Sequence, residues 1–143
     1  IAYTEPEHFT ISADISFYGA ENYLDFDQIV AADRVIHRPT FNYAVGAEYY
    51  VLPWLKARAG FFTNFSSHPD PTDEDPLRQP DRVDQYGFSA NLSLVSSSKV
   101  NYTFGGYYTG GHGLGRQSVN NDLTNIKKSQ QTYTMLVGTS FLY

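Results

Sequence analysis

The feature that most limits what this chain can fold into is a two-residue alternation that recurs along six long stretches. A strand shows alternate side chains to opposite faces. In residues 8–18, Phe9, Ile11, Ala13, Ile15 and Phe17 share one face, and His8, Thr10, Ser12, Asp14, Ser16 and Tyr18 share the other. In residues 40–51, Phe41, Tyr43, Val45, Ala47, Tyr49 and Val51 lie opposite Asn42, Ala44, Gly46, Glu48 and Tyr50. The same pattern returns in residues 55–64, 84–95, 99–109 and 131–143. Five consecutive apolar/polar alternations in the first stretch are already a strong strand signal.

The connections between these stretches alternate in length. Residues 19–39, 65–83 and 110–130 read as long loops, and residues 52–54 and 96–98 as tight turns. Within the first loop, residues 23–30 have the start of a short strand, but Ile29, Val30, Ala31 and Ala32 break its alternation. Pro53 cannot continue a ladder, so Leu52-Pro53-Trp54 turns the chain. Pairing across that turn sets Tyr50 opposite Lys56 and Glu48 opposite Arg58, which places opposite charges face to face. A slip of one residue would set Glu48 against apolar Ala59.

Strands of ten to twelve residues with uncharged apolar faces are too long for an ordinary sandwich, whose strands run about 5 or 6 residues. They match the roughly 9 to 11 tilted residues that cross a bilayer. Short turns at one end and long loops at the other are the rhythm of outer-membrane barrels. Aromatic residues fall where two girdles are expected: Tyr49, Trp54, Phe141 and Tyr143 at the turn end; Phe17, Phe61, Tyr86, Phe88, Tyr108 and Tyr133 at the loop end. The expected fold is therefore all-β, an antiparallel transmembrane β-barrel in the bacterial outer membrane. Six strands cannot close one, since eight is the usual minimum, and open edges in lipid leave ladder groups unpaired. The chain begins Ile1-Ala-Tyr-Thr without an initiator Met or a signal-peptide pattern. Residues 1–143 are thus expected to be the C-terminal part of one larger barrel domain.

Composition narrows the function. A net charge of −5 and no basic patch argue against a nucleic-acid partner. The absence of cysteine removes disulfides, thiolate metal sites and a cysteine nucleophile. The 12 Tyr and 10 Phe suit strands rather than helices.

The run Tyr43-Ala-Val-Gly-Ala-Glu-Tyr-Tyr-Val, followed by Leu55-Lys-Ala-Arg-Ala-Gly-Phe-Phe and by the Pro- and Asp-rich loop ending Gln79-Pro80-Asp81-Arg82-Val83-Asp84, resembles the FadL-like long-chain fatty acid and hydrocarbon transporters of Gram-negative outer membranes. The resemblance covers nearly the whole chain. It implies a fourteen-stranded barrel with an N-terminal hatch, of which this chain supplies the last six strands. It also implies passive uptake of a hydrophobic molecule from outside and its lateral release into the membrane. The partners implied are outer-membrane lipid and lipopolysaccharide, a hydrophobic small molecule and the remainder of the barrel. Gly138, Phe141 and Tyr143 resemble the C-terminal signal read by the barrel assembly machinery, whose commoner last residue is Phe.

Four charged residues, Asp14, Glu48, Lys56 and Arg58, fall on the polar faces and are the candidate lumen charges. They are expected to be satisfied structural pairs; the alternative is that Arg58 binds a ligand carboxylate, which a guanidinium can do bidentately. Asp70, Asp73, Glu74 and Asp75 form an acidic cluster without calcium-loop spacing and read as a solvated loop. Gly110-Gly-His-Gly-Leu-Gly115 lacks the spacing of a phosphate loop and reads as a flexible loop. His8, His37, His68 and His112 show no ligand spacing, and no nucleophile motif is present. No catalytic residue, metal or cofactor is expected. The alternative function is a structural or adhesive barrel whose long loops bind a partner.

Overall fold

The computed structural model describes residues 1–25, 33–71, 81–96, 100–119 and 122–141. Among these residues the protein is all β. The strands are β1 (Ala2–Glu5), β2 (Phe9–Tyr18), β3 (Glu21–Asp25), β4 (Asp33–His37), β5 (Thr40–Leu52), β6 (Leu55–Asn64), β7 (Arg82–Val95), β8 (Val100–Val119) and β9 (Asp122–Phe141). Seven of them form one sheet in the order β1-β2-β5-β6-β7-β8-β9, while β3 and β4 form a separate two-stranded ribbon. All the pairings are antiparallel. The sheet is therefore a meander that leaves through the β3–β4 ribbon once, between β2 and β5. Its two edges, β1 and β9, are not paired to each other.

The β5–β6 register is the one that charge and turn chemistry select: Glu48 lies opposite Arg58 and Tyr50 opposite Lys56. An irregularity between Tyr50 and Leu52 then brings Leu52 opposite Leu55, so that Pro53 and Trp54 make the turn.

The loop assignments need correction. Residues 19–39 contain the β3–β4 ribbon, with Glu21 opposite His37 and Asp25 opposite Asp33. The stretch 110–130 is mostly strand. Pairing of β8 with β9 runs unbroken from Val100↔Phe141 to Val119↔Asp122. Glycine and polar residues dominate this extension, so hydrophobic patterning gives no sign of it. Backbone hydrogen bonds hold such a ribbon without an apolar face. Ala2–Glu5 is a further short strand, joined to β2 by a turn in which His8 N–H donates to the Glu5 carbonyl at 3.1 Å.

The distribution of polarity is the opposite of a water-soluble sheet. Among the described residues no hydrophobic side chain is buried. Met135 is 94% exposed, Val137 75% and Phe88 56%, whereas Ser93 is 1% exposed. On β5 the apolar face (Phe41, Tyr43, Val45, Ala47, Tyr49) is exposed, while the other face (Asn42, Ala44, Gly46, Glu48, Tyr50) is half-buried. The sheet curls around its polar side. One cavity on that side is lined from Tyr18 on β2 through Asn64 and Gln85 to Gln130 on β9.

Aromatic side chains gather on the outer face toward the loop end. Phe17 meets Phe41 at 4.7 Å between ring centroids, Phe61 meets Phe88 at 5.1 Å and Tyr86 at 6.3 Å, and Tyr108 meets Tyr133 at 4.8 Å. Contacts of this kind contribute about 0.5–1.5 kcal/mol each beyond burial. Of the residues expected at the turn end, Phe141 lies opposite Val100, and Tyr143 is outside the described residues.

Candidate functional site

The polar, inner face carries a continuous network built on four adjacent strands. Alternation delivers Glu48 from β5, Lys56 and Arg58 from β6, Asn91 and Ser93 from β7, and Thr103 from β8 to the same side. Arg58 Nε donates to Glu48 Oε2, and Lys56 Nζ stands 4.0 Å from Glu48 Oε1. Arg58 Nη1 donates to Ser93 Oγ at 2.7 Å and to Asn91 Oδ1 at 3.3 Å. The Ser93 hydroxyl in turn lies 2.9 Å from Thr103 Oγ1. Lys56 also sits over the ring of Tyr50, 4.4 Å from its centroid. One carboxylate thus faces two cations, and Asn91, Ser93 and Thr103 extend the guanidinium's hydrogen bonding across the sheet. Charge-assisted bonds of this type are about twice as strong as neutral ones.

Three of the four sequence candidates, Glu48, Lys56 and Arg58, are therefore brought together. The fourth, Asp14, is on the same face, opposite Ala44. Its carboxylate accepts a hydrogen bond from Ser16 Oγ at 3.1 Å and has no ion-pair partner among the described residues. Asp14, Glu48 and Arg58 line one cavity of about 650 Å³ together with Ser12, Ser89 and Phe62. Phe62 lies over Gly87: a Cβ built at Gly87 would come 2.2 Å from the Phe62 ring. A side chain at this position would force the Phe62 ring to move. The edge of Tyr107 approaches the Phe62 ring at 6.4 Å between centroids.

At the loop end, the segment after β6 folds back over the mouth of the inner face. Phe65 N–H donates to Asn42 Oδ1 at 2.7 Å and Ser66 N–H to Asp84 Oδ1 at 2.9 Å. Arg38 N–H donates to the Ser67 carbonyl at 2.6 Å, and His37 Nδ1 lies 2.8 Å from Ser67 Oγ. These bonds bring His37 and His68 together, with ring centroids 5.0 Å apart. Sequence spacing had no means of pairing them, since His37 ends β4 and His68 lies in the segment after β6. Burial, and then the charge of His37, lower the pKa of His68 below its ordinary value.

Of the acidic cluster, Asp70 is held by Arg82 at 2.8 Å, and residues 73–75 lie outside the described residues. Gly110 to Gly115 belong to β8; residues 110–114 face strand neighbours on both sides and Gly115 faces Ile126 of β9. Gly138 pairs with Thr103, one strand from Ser93. Among the described residues no group of three or more His, Asp or Glu side chains converges as metal ligands would. No protein-family model, no curated protein and no solved structure matches this chain.

Proposed function

We propose that the chain is part of the wall of an outer-membrane β-barrel that acts as a passive channel for hydrophobic molecules. One observation carries the barrel reading: on the central strands β5 and β7 the apolar face is the exposed one, and the polar face is the sheltered one. In water such a sheet would leave its large aliphatic and aromatic side chains solvated. Each would forgo about 1.5–3 kcal/mol of burial. In lipid the same face is matched to its surroundings, and alternate residues face the lumen. No helix among the described residues is long and apolar enough to cross a membrane, so any crossing is made by strands. The unpaired edges of β1 and β9 then require further strands of the same barrel, because an unpaired backbone group in hydrocarbon costs several kcal/mol.

The cargo class follows from the FadL-like resemblance. On the inner face an apolar cargo can rest on Phe62 and Tyr107. The Glu48–Arg58 network supports a structural role for Arg58, since Glu48, Asn91 and Ser93 already engage the guanidinium. Uptake of a labelled long-chain fatty acid and a labelled alkane is the deciding measurement, in cells with and without the gene. The expected result is faster entry of both when the protein is present. Equal entry in the two strains refutes transport. Replacing Arg58 with Met is expected to change entry of acid and alkane alike; a selective loss of the acid would reassign Arg58 to ligand binding. A second reading, a structural or adhesive barrel, draws on the β3–β4 ribbon and on the β8–β9 extension at the same end of the sheet. It predicts no uptake and retained attachment.

A further inference from the structure

We infer that the mouth of the inner face is a binding site for a neutral, polyhydroxylated ligand of the saccharide class. The inference concerns a site separate from the Glu48–Arg58 network and does not depend on what the channel carries. It begins with a row of amides. Register sets Asn64 opposite Gln85, Gln85 opposite Gly111 and Gly111 opposite Gln130. Asn42, opposite Ser16 on the neighbouring strand pair, extends the row toward β2. These amides line one cavity of about 750 Å³ whose wall also includes Ser67, Ser129, Tyr18 and Phe65. That volume falls within the usual range of small-molecule sites, about 300–1,000 Å³.

The hydrogen-bonding capacity of the row is only partly used. Asn64 Nδ2 donates to Gln85 Oε1 at 3.3 Å, which leaves the Asn64 carbonyl and the Gln85 amide group for another partner. Asn42 Oδ1 accepts from Thr63 Oγ1 at 3.2 Å and from the Phe65 amide, which leaves the Asn42 amide group. An amide side chain offers both donors and acceptors. A row of them suits adjacent hydroxyls, each of which also donates and accepts.

Charge excludes the alternatives. Lys128 in this wall is paired with Asp81, and His68, also in it, is held toward its neutral form by burial and by His37. Arg82 just behind it is paired with Asp70 at 2.8 Å and Asp84 at 3.3 Å. No cation among these is left to select an anion, and no carboxylate to select a cation. An apolar ligand seated there would strand the amides without partners, and sites built to hydrogen-bond reject ligands that cannot. Tyr18, another residue of the cavity wall, adds the aromatic character that a sugar also uses, as a flat apolar surface for its C–H face.

The test uses the full chain, folded in an amine-oxide detergent, because a maltoside head group would compete. Binding is titrated by calorimetry and by saturation-transfer NMR against glucose, lactose, maltotriose and a dephosphorylated lipopolysaccharide core oligosaccharide. Palmitate and glucose 6-phosphate are the counter-probes. Saturable binding of a neutral saccharide is expected, weakened about tenfold by Gln85→Leu and by Gln130→Leu, the loss of one or two hydrogen bonds. Tighter binding of the core oligosaccharide identifies a cell-surface glycan as the source, and tighter binding of the free sugars identifies a solute. Val45→Ala on the outer face is expected to leave the affinity unchanged. The inference is overturned if no neutral saccharide saturates. It is equally overturned if the two Leu variants, shown folded by circular dichroism, bind as the parent does, or if palmitate displaces the sugar and binds the Leu variants more tightly. None of these readouts depends on vesicle insertion or uptake, so the barrel proposal stands or falls separately.

Discussion

Ala90 is the position at which the lipid reading can be tested most directly. It stands in the middle row of the apolar face, opposite Ala59 and Gly106; the row continues through Ala47 to Ile11 and Tyr3 on one side and to Met135 on the other. From Tyr86 to Leu94, β7 advances eight residues, about 27 Å at about 3.4 Å per residue. Tilted by about 40°, those residues span roughly 20 Å along the membrane normal, close to the roughly 25 Å apolar band of outer-membrane barrels. Ala90 lies halfway along that span. Thr139 is on the same exposed face, opposite Tyr102, in the row of Leu94 near the turn end.

An arginine at the bilayer midplane costs about 2–4 kcal/mol, and near the interface about 0–1. Ala90→Arg is therefore expected to lower the folding constant by roughly 30- to 1,000-fold, and Thr139→Arg by no more than about fivefold. In water both are surface changes worth within about 0.5 kcal/mol. The assay is guanidinium unfolding of the complete barrel that contains this chain, in short-chain phosphatidylcholine vesicles, followed by tryptophan fluorescence, to which this chain contributes Trp54. Equal costs at the two positions, or no cost at Ala90, would refute the assignment of this face to lipid.

Other expectations follow from the inner face and the loop end. Replacing Arg58 with Met leaves the Glu48 carboxylate facing Lys56 alone at 4.0 Å. It is expected to cost about 2 kcal/mol, and the double change with Glu48→Gln less than the sum of the single ones, as a double-mutant cycle in the same vesicles would measure. Gly87→Val drives a side chain into the Phe62 ring and is expected to cost about 1–3 kcal/mol, with Gly138→Val, where nothing lies near, as the inexpensive control. Because burial and His37 hold the His68 pKa below its ordinary value, the docked segment binds fewer protons than the free one near that value. Its docking is expected to weaken as pH falls from the ordinary histidine range toward the lowered one, and to recover as pH rises. Hydrogen exchange of residues 65–71 at pH 5 and pH 8 reads this out, and the same pH dependence in His68→Asn would exclude His68 as its source.

What the sequence made legible, and what it hid, divide along one physical line. Hydrophobic alternation exists only where the two faces of a strand meet different surroundings. It therefore placed the inward and outward residues of β2, β5, β6 and β7. The charge pairs across Pro53-Trp54 added the register, because a one-residue slip would have set Glu48 against Ala59. The β3–β4 ribbon and the outer half of the β8–β9 pair read as loops for the complementary reason. The outer β8–β9 residues are mostly glycine, serine, lysine and glutamine, and in the five-residue strands β3 and β4 the adjacent pairs Tyr23-Leu24 and Val35-Ile36 put apolar side chains on both faces, so the pairing of both rests on backbone bonds that no side-chain period announces. The contact of His37 with His68 was hidden for a different cause, since it depends on how two separate connections fold together. On β8 the contrast can be followed along a single strand. Alternation runs from Val100 through Tyr102 and Phe104 to Tyr108, while the strand itself continues to Val119. The period thus measures the height over which the two faces differ, not the length of the strand. That is why 99–109 reads as a membrane-length element although its strand has 20 residues.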